Sequence, residues 1–271
     1  MNNEEQRLRA ARSYDGAAQT YERVNAPLLF DEPARALVAA VAPSPHARIL
    51  DVGCGTGAVA RAARAQVATA RVVALDPSID MLQAARRGGI EAVVNGSLPR
   101  LPFASGAFDT ALCAFVLTHV DDPDAAIADM KRVLRAGGRL GASAWAAGDD
   151  EFFAAWSQVV AKYVDAERMS RAANVLLPGE ARFSRPNGLA EALAACGLSE
   201  VRAHDLDFTF QLSVEEYIEG REVCAAGRAL QSLLTEQQWE NFRRDVRAAL
   251  AARFPNGVAY SRRVYIATGR C

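Results

Sequence analysis

The amino-acid sequence predicts an α/β protein built on a doubly wound, mostly parallel β-sheet. Three apolar runs, at 48–52, 71–76 and 110–115, have the composition of strands that are covered on both faces. Segments with helical spacing of apolar residues separate these runs, and a glycine-rich turn directly follows the first of them. Strands that alternate with helices in this way are typical of a sheet with helices on both sides.

Composition limits the function classes. The chain has 271 residues, of which 51% are hydrophobic and 23% charged, and its formal net charge is −1. Because a nucleic-acid-binding protein normally carries a basic excess, we expect a small-molecule partner and no nucleic acid. The first residues are polar, and no later run is long enough to span a bilayer, so we expect a cytoplasmic protein with no membrane partner. The oligomeric state stays open between monomer and homodimer.

Cysteine and histidine are too scattered to indicate a metal or disulfide framework. The five cysteines form no C-x-x-C pair, and the three histidines are equally dispersed. We therefore expect reduced, packed cysteines and no metal.

The N-terminal segment predicts two helices. Over residues 4–23, small and aromatic residues recur at helical steps, namely Ala10, Tyr14, Ala17, Ala18 and Tyr21. A second helix is expected at about 31–41, with Pro33 in its first turn, and it ends before Pro43 and Pro45.

The strand at 48–52 leads into a turn with glycine at every second position, followed by a helix from Ala58. Gly53, Gly55 and Gly57 match neither the dinucleotide pattern G-x-G-x-x-G nor the phosphate-binding pattern G-x-x-x-x-G-K-[ST]. Glycines permit positive φ and let a ligand touch the main chain, and the N–H groups of the helix start suit an acceptor-rich ligand. The carboxylate of Asp51 argues against a phosphate and favours a cationic amine or sulfonium.

The next strands follow at regular intervals. The second, 71–76, ends in Asp76, which is well placed for ribose hydroxyls, and a helix over 78–87 follows it. Three further elements are expected before residue 146: a third strand at 90–94, a fourth at 110–115, and a fifth at 139–145 that follows a helix at 125–135. The ligand of such a sheet lies beyond the carboxyl ends of its strands.

These motifs resemble those of the class I S-adenosylmethionine (SAM)-dependent methyltransferases, in particular the small-molecule group (methyltransferase type 11, UbiE-like). The resemblance rests on Leu-Asp-Val-Gly-Cys-Gly-Thr-Gly at 50–57, Leu-Pro-Phe at 101–103 and Leu-Arg-Ala-Gly-Gly at 134–138. It implies a Rossmann-like sheet of seven strands with an antiparallel last strand. It also implies SAM as the cofactor and S-adenosylhomocysteine as the product.

The resemblance assigns roles to individual residues. Asp76 would bind the ribose diol and Met81 would lie against adenine, although Met81 is equally well read as core filler. Ser97 stands where relatives usually carry an acid, which leaves the adenine contacts open. The expected cofactor-binding set is Tyr21, Asp51, Gly53, Cys54, Gly55, Gly57, Asp76, Pro77, Met81, Ser97, Leu98 and Ala114.

The acceptor pocket is expected at the same edge of the sheet. It would be lined by Tyr14, Phe115, His119 and Trp145. The segment 13–21 resembles a family element, Tyr-Asp-x-x-Ala-x-x-Tyr, that folds over the cofactor's methionine end. Tyr14 and His119 are the candidate catalytic residues, with His119 as a possible general base. The alternative interpretation of His119 is a structural residue at the turn after the fourth strand.

Downstream of residue 146 the resemblance is weaker. Helix is expected at 149–166 and 188–195, a loop or lid at 168–186, a long strand at 201–212, helices over 213–254 and a last strand at 260–269. We therefore expect an N-terminal segment, 1–44, that covers the cofactor, and a SAM-binding α/β domain, 45–271. Cap elements would lie at about 165–186 and 213–254.

The leading hypothesis is an enzyme that moves a methyl group from SAM to oxygen, carbon or nitrogen of a small molecule in natural product biosynthesis. The alternative is a SAM-binding protein of the same fold that catalyses cyclisation, rearrangement or hydroxylation. A nicotinamide oxidoreductase is disfavoured by the glycine spacing.

Overall fold

A computed structural model describes residues 6, 13–148 and 151–271. These residues form a seven-stranded sheet in the order β3-β2-β1-β4-β5-β7-β6. The strands are β1 (Arg48–Val52), β2 (Arg71–Asp76), β3 (Val93–Asn95), β4 (Phe108–Ala114), β5 (Leu134–Trp145), β6 (Ser199–Leu212) and β7 (Val258–Arg270). Strands β1 to β5 pair in parallel, and β7 is antiparallel to both of its neighbours, β5 and β6. The predicted fold class is confirmed.

The helices of the described residues are numbered in chain order. They are α1 (Ala18–Thr20), α2 (Asp31–Val41), α3 (Ala58–Gln66), α4 (Ile79–Arg87), α5 (Pro123–Val133), α6 (Glu151–Val160), α7 (Ala166–Leu176), α8 (Glu180–Phe183), α9 (Gly188–Ala195), α10 (Val214–Val223), α11 (Ala225–Leu233) and α12 (Glu236–Arg253). A π-helix, Tyr21–Phe30, joins α1 to α2, and a 3₁₀ turn, Leu117–His119, follows β4.

Both faces of the sheet are covered. On one face, buried residues of α2 and α3 such as Leu37 and Ala63 pack against Ile49 and Leu112. On the other face, α5 and α9 pack against the same strands through residues such as Ile127. Because β1 and β4 are buried from both sides, their central residues, such as Ile49, Leu50, Ala111 and Leu112, are apolar.

The strand register brings the functional segments to one edge. Val52 pairs with Leu75, and Asp76 pairs with Asn95, so the segments after β1, β2 and β3 begin side by side. Ala114 pairs with Ser143, which places the turn after β4 beside the end of β5. The carboxyl ends of these parallel strands form the crevice that a doubly wound sheet offers to ligands.

The N-terminal segment differs from its prediction. The predicted helix at 4–23 falls partly outside the described residues, Ala10 included. Of the described residues, Gln6 is helical, 13–17 are not, and α1 begins at Ala18. The chain then forms a π-helix that contains Pro27. A proline lacks the N–H that an α-helix needs at an interior position, and the wider π-turn is a rare form that is frequent at functional sites.

The segment 168–186, predicted as a loop or lid, contains helix α7 and the short helix α8. Helix α7 begins at the N-cap Asp165, whose side chain accepts a hydrogen bond from the Arg168 N–H at 2.8 Å. Ala172 and Leu176 are buried at a four-residue spacing. The spacing of these small and polar residues was too weak a signal without the surface that they pack against.

A second hydrophobic core lies above the sheet edge. It joins α6, α7 and α10–α12 to the ends of β6 and β7, with Trp156, Tyr217, Phe242 and Tyr260 at its centre. We call this core and its helices the cap. It includes α6, which lies outside the predicted cap elements, while the proposed division of the chain into two domains stays a prediction. In the described part of the chain, no helix combines the length and apolar character needed to cross a membrane.

Candidate functional site

The glycine turn after β1 is an open main-chain cradle. Gly53, Gly55 and Gly57 have φ of 68°, 53° and 91°, values that side-chain-bearing residues rarely adopt. A Cβ added at Gly55 would meet no protein atom within 4 Å, whereas a Cβ at Gly53 would lie 2.3 Å from Val116 Cγ2. Gly53 therefore allows the close approach of the segment after β4, and Gly55 leaves its surface open.

The N–H groups of this turn bind within the protein. Gly53 and Cys54 donate to the carbonyl oxygen of Leu75, at 2.7 and 2.9 Å, and Gly57 donates to that of Cys54 at 2.8 Å. These donors are therefore not available to a phosphate. This agrees with the expectation that the turn does not bind a phosphate, because a diphosphate needs main-chain N–H groups that are free to donate.

Asp76 fixes the turn from the end of β2. One carboxylate oxygen accepts from the Gly55 N–H at 2.9 Å, and the other accepts from the Ser78 N–H at 2.9 Å. Burial raises the pKa of Asp76, while these two N–H groups oppose that rise by stabilising the charged form. The carboxylate lies at the cavity surface, with its remaining lone pairs open to a ligand.

Asp51 lies behind the turn. Its Oδ2 accepts from the Ala60 N–H at 3.0 Å. The sequence predicted that the N–H groups of the helix start face a ligand, but the Ala60 N–H is engaged within the protein. Burial raises the pKa of Asp51 to about 7, and the Ala60 N–H opposes that rise. Its Oδ1 is buried and has no hydrogen-bond partner among the described residues. Asp51 and Gly57 do not line the cavity.

The N-terminal segment is fastened to the helix that follows Asp76. The Ser78 hydroxyl donates to Asp15 Oδ1 at 2.6 Å, and the Gly16 N–H donates to Asp80 Oδ2 at 2.8 Å. This clasp holds Tyr14 against Tyr21, with ring centroids 5.6 Å apart in an edge-on arrangement. Burial raises the pKa of both phenols, so both stay protonated at neutral pH.

One cavity of about 850 Å³ runs from the glycine turn to the cap. It brings together most of the predicted site residues, namely Tyr14, Tyr21, Gly53, Cys54, Gly55, Asp76, Pro77, Met81, Ser97, Leu98, Ala114, Phe115, His119 and Trp145. Met81 is 2% exposed and packs against Ala17 and Ala18, so it serves the core as well as the cavity. The roles of these residues stay predictions.

An aromatic wall connects the two ends of the cavity. Tyr21 stacks on Phe30 at 5.5 Å, Phe30 meets the edge of Phe115 at 5.3 Å, and Phe115 stacks on Trp145 at 4.4 Å. His119 lies edge-on to Tyr14 at 5.7 Å, so it faces the same space from the 3₁₀ turn after β4. An aromatic surface of this kind is suited to pack against a planar apolar molecule.

Comparison with known proteins assigns the chain to a family. A family model described as a methyltransferase domain matches residues 50–142, from β1 to β5. The demethylmenaquinone methyltransferase of Mycobacterium sp. (strain KMS) is 33% identical over 207 residues, which covers 72% of this chain and 88% of that protein. The chain belongs to the class I SAM-dependent methyltransferases. Its cofactor is SAM.

Solved structures share the methyltransferase fold. The geranyl diphosphate C-methyltransferase from Streptomyces coelicolor A3(2) has a TM-score of 0.51 and 18% identity, covering 90% of this chain and 77% of that chain. The [4+2]-cyclase SpnF has a TM-score of 0.52 and 18% identity, covering 89% and 80%. At this level of identity the two structures show the architecture alone.

Strand β7 and helix α8 add charged groups to the methyltransferase cavity that the sequence did not identify. The Arg262 guanidinium carbon lies 4.4 Å from the centroid of the Trp145 ring, and Arg262 Nη1 donates to the Tyr260 hydroxyl at 2.9 Å. Glu180, from the segment expected to be a loop, also lines the cavity. The sequence contains a clue to Arg262, because this charged residue interrupts the alternating inward-facing residues Tyr260, Val264 and Ile266 of β7. No comparable sequence pattern marks Glu180.

Proposed function

We propose that this methyltransferase transfers the methyl group of SAM to a planar, largely apolar small molecule held between the sheet edge and the cap. The observation that carries the proposal is the single cavity of about 850 Å³ that joins the glycine cradle to the aromatic wall. Cofactor and acceptor can lie in one enclosed space, as a direct transfer requires.

The cofactor end fits an adenosyl group. The open surface of Gly55 admits a ligand to the main chain, and Asp76 can accept hydrogen bonds from ribose hydroxyls. We propose that Met81, Pro77 and Leu98 contact the adenine, with Ser97 as a short polar contact in place of the family's acid. We propose that Tyr21 and Ala114 flank the methionine part. Burial raises the pKa of Asp51 to about 7, and we propose that the positive charge of a bound sulfonium favours the charged form of this carboxyl behind the turn.

Methyl transfer from a sulfonium needs alignment more than covalent assistance. SAM supplies a methyl group on a good leaving group, and the protein aligns the acceptor and excludes water. Alignment of this kind can account for about 7 to 11 kcal/mol of the barrier. The clasped N-terminal segment, with Tyr14 and Tyr21, and the cap close the space from two sides.

The acceptor end fits a flat conjugated molecule. Phe115 and Trp145 both line the cavity as a stacked pair, and the relatives that the chain resembles are named for a quinone-type acceptor. We propose an aromatic acceptor, methylated at oxygen, carbon or nitrogen, within natural product biosynthesis. His119 and Tyr14 remain candidate proton-transfer groups at the entrance to the wall.

The test is a transfer assay with methyl-labelled SAM. The acceptor panel contains 1-naphthol, reduced 1,4-naphthoquinone and 1-naphthylamine, and mass spectrometry locates the label. We expect label in at least one aromatic product, and we expect Asp76→Ala to abolish transfer by weakening SAM binding at least tenfold in calorimetry. SAM binding without labelled product would favour the non-methylating alternative. Unchanged SAM affinity in Asp76→Ala would overturn the site map.

A further inference from the structure

Glu180 is fixed at the point where the loops after β4 and β5 meet. The Gly179 N–H donates to the carbonyl oxygen of Thr118 at 3.0 Å, and the Ala147 N–H donates to that of Ser184 at 2.8 Å. A Cβ at Gly179 would lie 2.7 Å from the Leu117 carbonyl oxygen, so only glycine permits this approach. Helix α8 is therefore held at both of its ends to the loops that border the acceptor space.

The Glu180 carboxylate faces this space without an internal partner. It is partly buried in the cavity wall, and no described residue donates a hydrogen bond to it or pairs with it within 4.0 Å. By contrast, Glu215 and Glu222 of the cap are paired with arginines. Burial raises the pKa of Glu180, and the charge of Arg262 opposes the rise. A carboxylate in this state is suited to accept a proton or a hydrogen bond from a ligand.

Arg262 supplies the matching positive charge. Its guanidinium lies on the Trp145 face, and no carboxylate of the described chain lies within 4.0 Å of it. The next residue, Arg263, makes a two-pronged ion pair with Asp207 at 2.7 and 2.8 Å. Of these two arginines, Arg262 is the one without a carboxylate partner in the part of the chain that the structure describes, and its donors other than the Nη1 group bonded to Tyr260 remain available to the cavity.

We propose that Glu180 is the general base of the reaction and that the acceptor is a hydroxyarene methylated at its hydroxyl oxygen. The inference rests on the proposed function. The acceptor O–H bond breaks and its proton passes to the Glu180 carboxylate. The oxygen lone pair forms the new O–CH₃ bond as the S–CH₃ bond of SAM breaks, and the sulfonium becomes a neutral thioether. Arg262 offsets the negative charge that develops on the ring oxygen.

Other titratable groups face the same cavity from its surrounding elements. His119, on the 3₁₀ turn, lies against Tyr14, and Asp121 follows in the loop after this turn. Asp122 is the N-cap residue of α5, and its side chain accepts a hydrogen bond from the Ala125 N–H. The Glu216 carboxylate accepts a hydrogen bond from the Ser213 N–H. Arg221 on α10 lies over the Phe153 ring at 5.1 Å. His119 is the competing base, so its variant belongs in the test.

Binding to the complex with S-adenosylhomocysteine tests the hydroxyl contact without turnover. We expect calorimetry to show that the protein binds 1-naphthol roughly tenfold more tightly than 1-methoxynaphthalene, because only the first can donate to Glu180. Glu180→Gln should remove most of this preference, and Glu240→Gln, which alters an exposed carboxylate of α12, should retain it. No preference for naphthol, or a preference that survives Glu180→Gln, would overturn the proposal.

Turnover separates the base from a positioning role. With 1-naphthol, Glu180→Gln should lower kcat by about 10²- to 10⁴-fold at unchanged SAM affinity, and His119→Gln should lower it far less. The loss should shrink for 4-nitro-1-naphthol, whose hydroxyl ionises without help. Full activity of Glu180→Gln, or a ring-methylated product, would refute Glu180 as the base. Absence of labelled product from every acceptor, with the naphthol preference intact, would instead refute the proposed function.

Discussion

At Gly55, the addition of a single methyl group should block ligand binding while the protein still folds. A Cβ there meets no protein atom within 4 Å and enters the cradle, so Gly55→Ala should block SAM. Gly89 has the same properties outside the cavity: a positive φ of 88° and open space around the added Cβ. Both alanine variants should lose about 1 to 2 kcal/mol of stability through the left-handed backbone.

Only Gly55→Ala should lose SAM binding, by at least tenfold in calorimetry, while thermal unfolding shows similar losses for both variants. Equal SAM affinity in the two variants would show that the cofactor does not approach the main chain at Gly55.

Asp51 predicts a pH dependence of stability. Its pKa rises from 3.8 to about 7 on folding, so the folded state holds a proton that the unfolded state has lost between these values. Stability should therefore fall as pH rises from about 4 to 7 and level off above 7. Asp51→Asn cannot ionise, and its amide oxygen can still accept from the Ala60 N–H.

The stability gain of Asp51→Asn over the parent should grow across this pH window, measured by urea unfolding. The gain should reach a few kcal/mol, since each unit between the two pKa values is worth about 1.4 kcal/mol. Asp207→Asn is the control: the Arg263 pair lowers the pKa of Asp207, so its titration lies below this window and the effect of the substitution should stay nearly constant across it. A gain that is constant from pH 4 to 8 contradicts the buried, protonated carboxyl.

At the scale of elements, Ser78 has two functions: it is the N-cap residue of α4, and it joins α4 to the N-terminal segment. The Ser78 hydroxyl accepts from the Met81 N–H at 3.3 Å and donates to Asp15. Ser78→Ala should cost about 1 kcal/mol of stability through the lost cap. It should also weaken SAM binding several-fold, because Tyr14 and Tyr21 are no longer held over the cofactor.

Thr235→Ala is the matched control for this cap. Thr235 caps α12 in the same manner, with its hydroxyl accepting from the Gln238 N–H at 3.3 Å. Its loss should cost similar stability in thermal unfolding and leave SAM affinity unchanged. If both variants weaken SAM binding equally, the Asp15–Ser78 bond has no role beyond stability.

At the scale of the whole molecule, the hydrophobic cores on the two faces of the sheet and the core of the cap support different parts of the cavity. The cores against the sheet fix the strand ends at the proposed cofactor cradle, and the core of the cap fixes the walls of the proposed acceptor space. Phe242, fully buried in the cap, packs against Trp156 at 5.0 Å. Phe242→Ala should cost about 3 to 5 kcal/mol and loosen the cap.

This variant should raise the KM for the acceptor far more than the Kd for SAM, and hydrogen exchange should increase first in α6 and α10–α12. Leu112→Ala, a truncation in the sheet, should weaken both affinities. Equal losses of acceptor and SAM binding in Phe242→Ala would show that the cap and the sheet respond as one unit.

The sequence by itself determined the elements whose signals are local. The predicted ranges 31–41, 71–76 and 188–195 coincide with α2, β2 and α9, because apolar periodicity, caps and glycines act over a few residues. The strand, glycine turn and helix at 48–66 were also local, and they carried the family resemblance that the comparisons confirm.

Only the tertiary structure decided which distant residues meet. Asp15 reaches Ser78 across 63 positions, Gly179 contacts the turn after β4, and Arg262 lies on Trp145. No periodicity encodes such pairs, because each depends on how whole elements pack. The proposed acceptor end of the site, with Glu180 and Arg262, is made of these long-range contacts, whereas the proposed cofactor end is built on short segments that the sequence already marks.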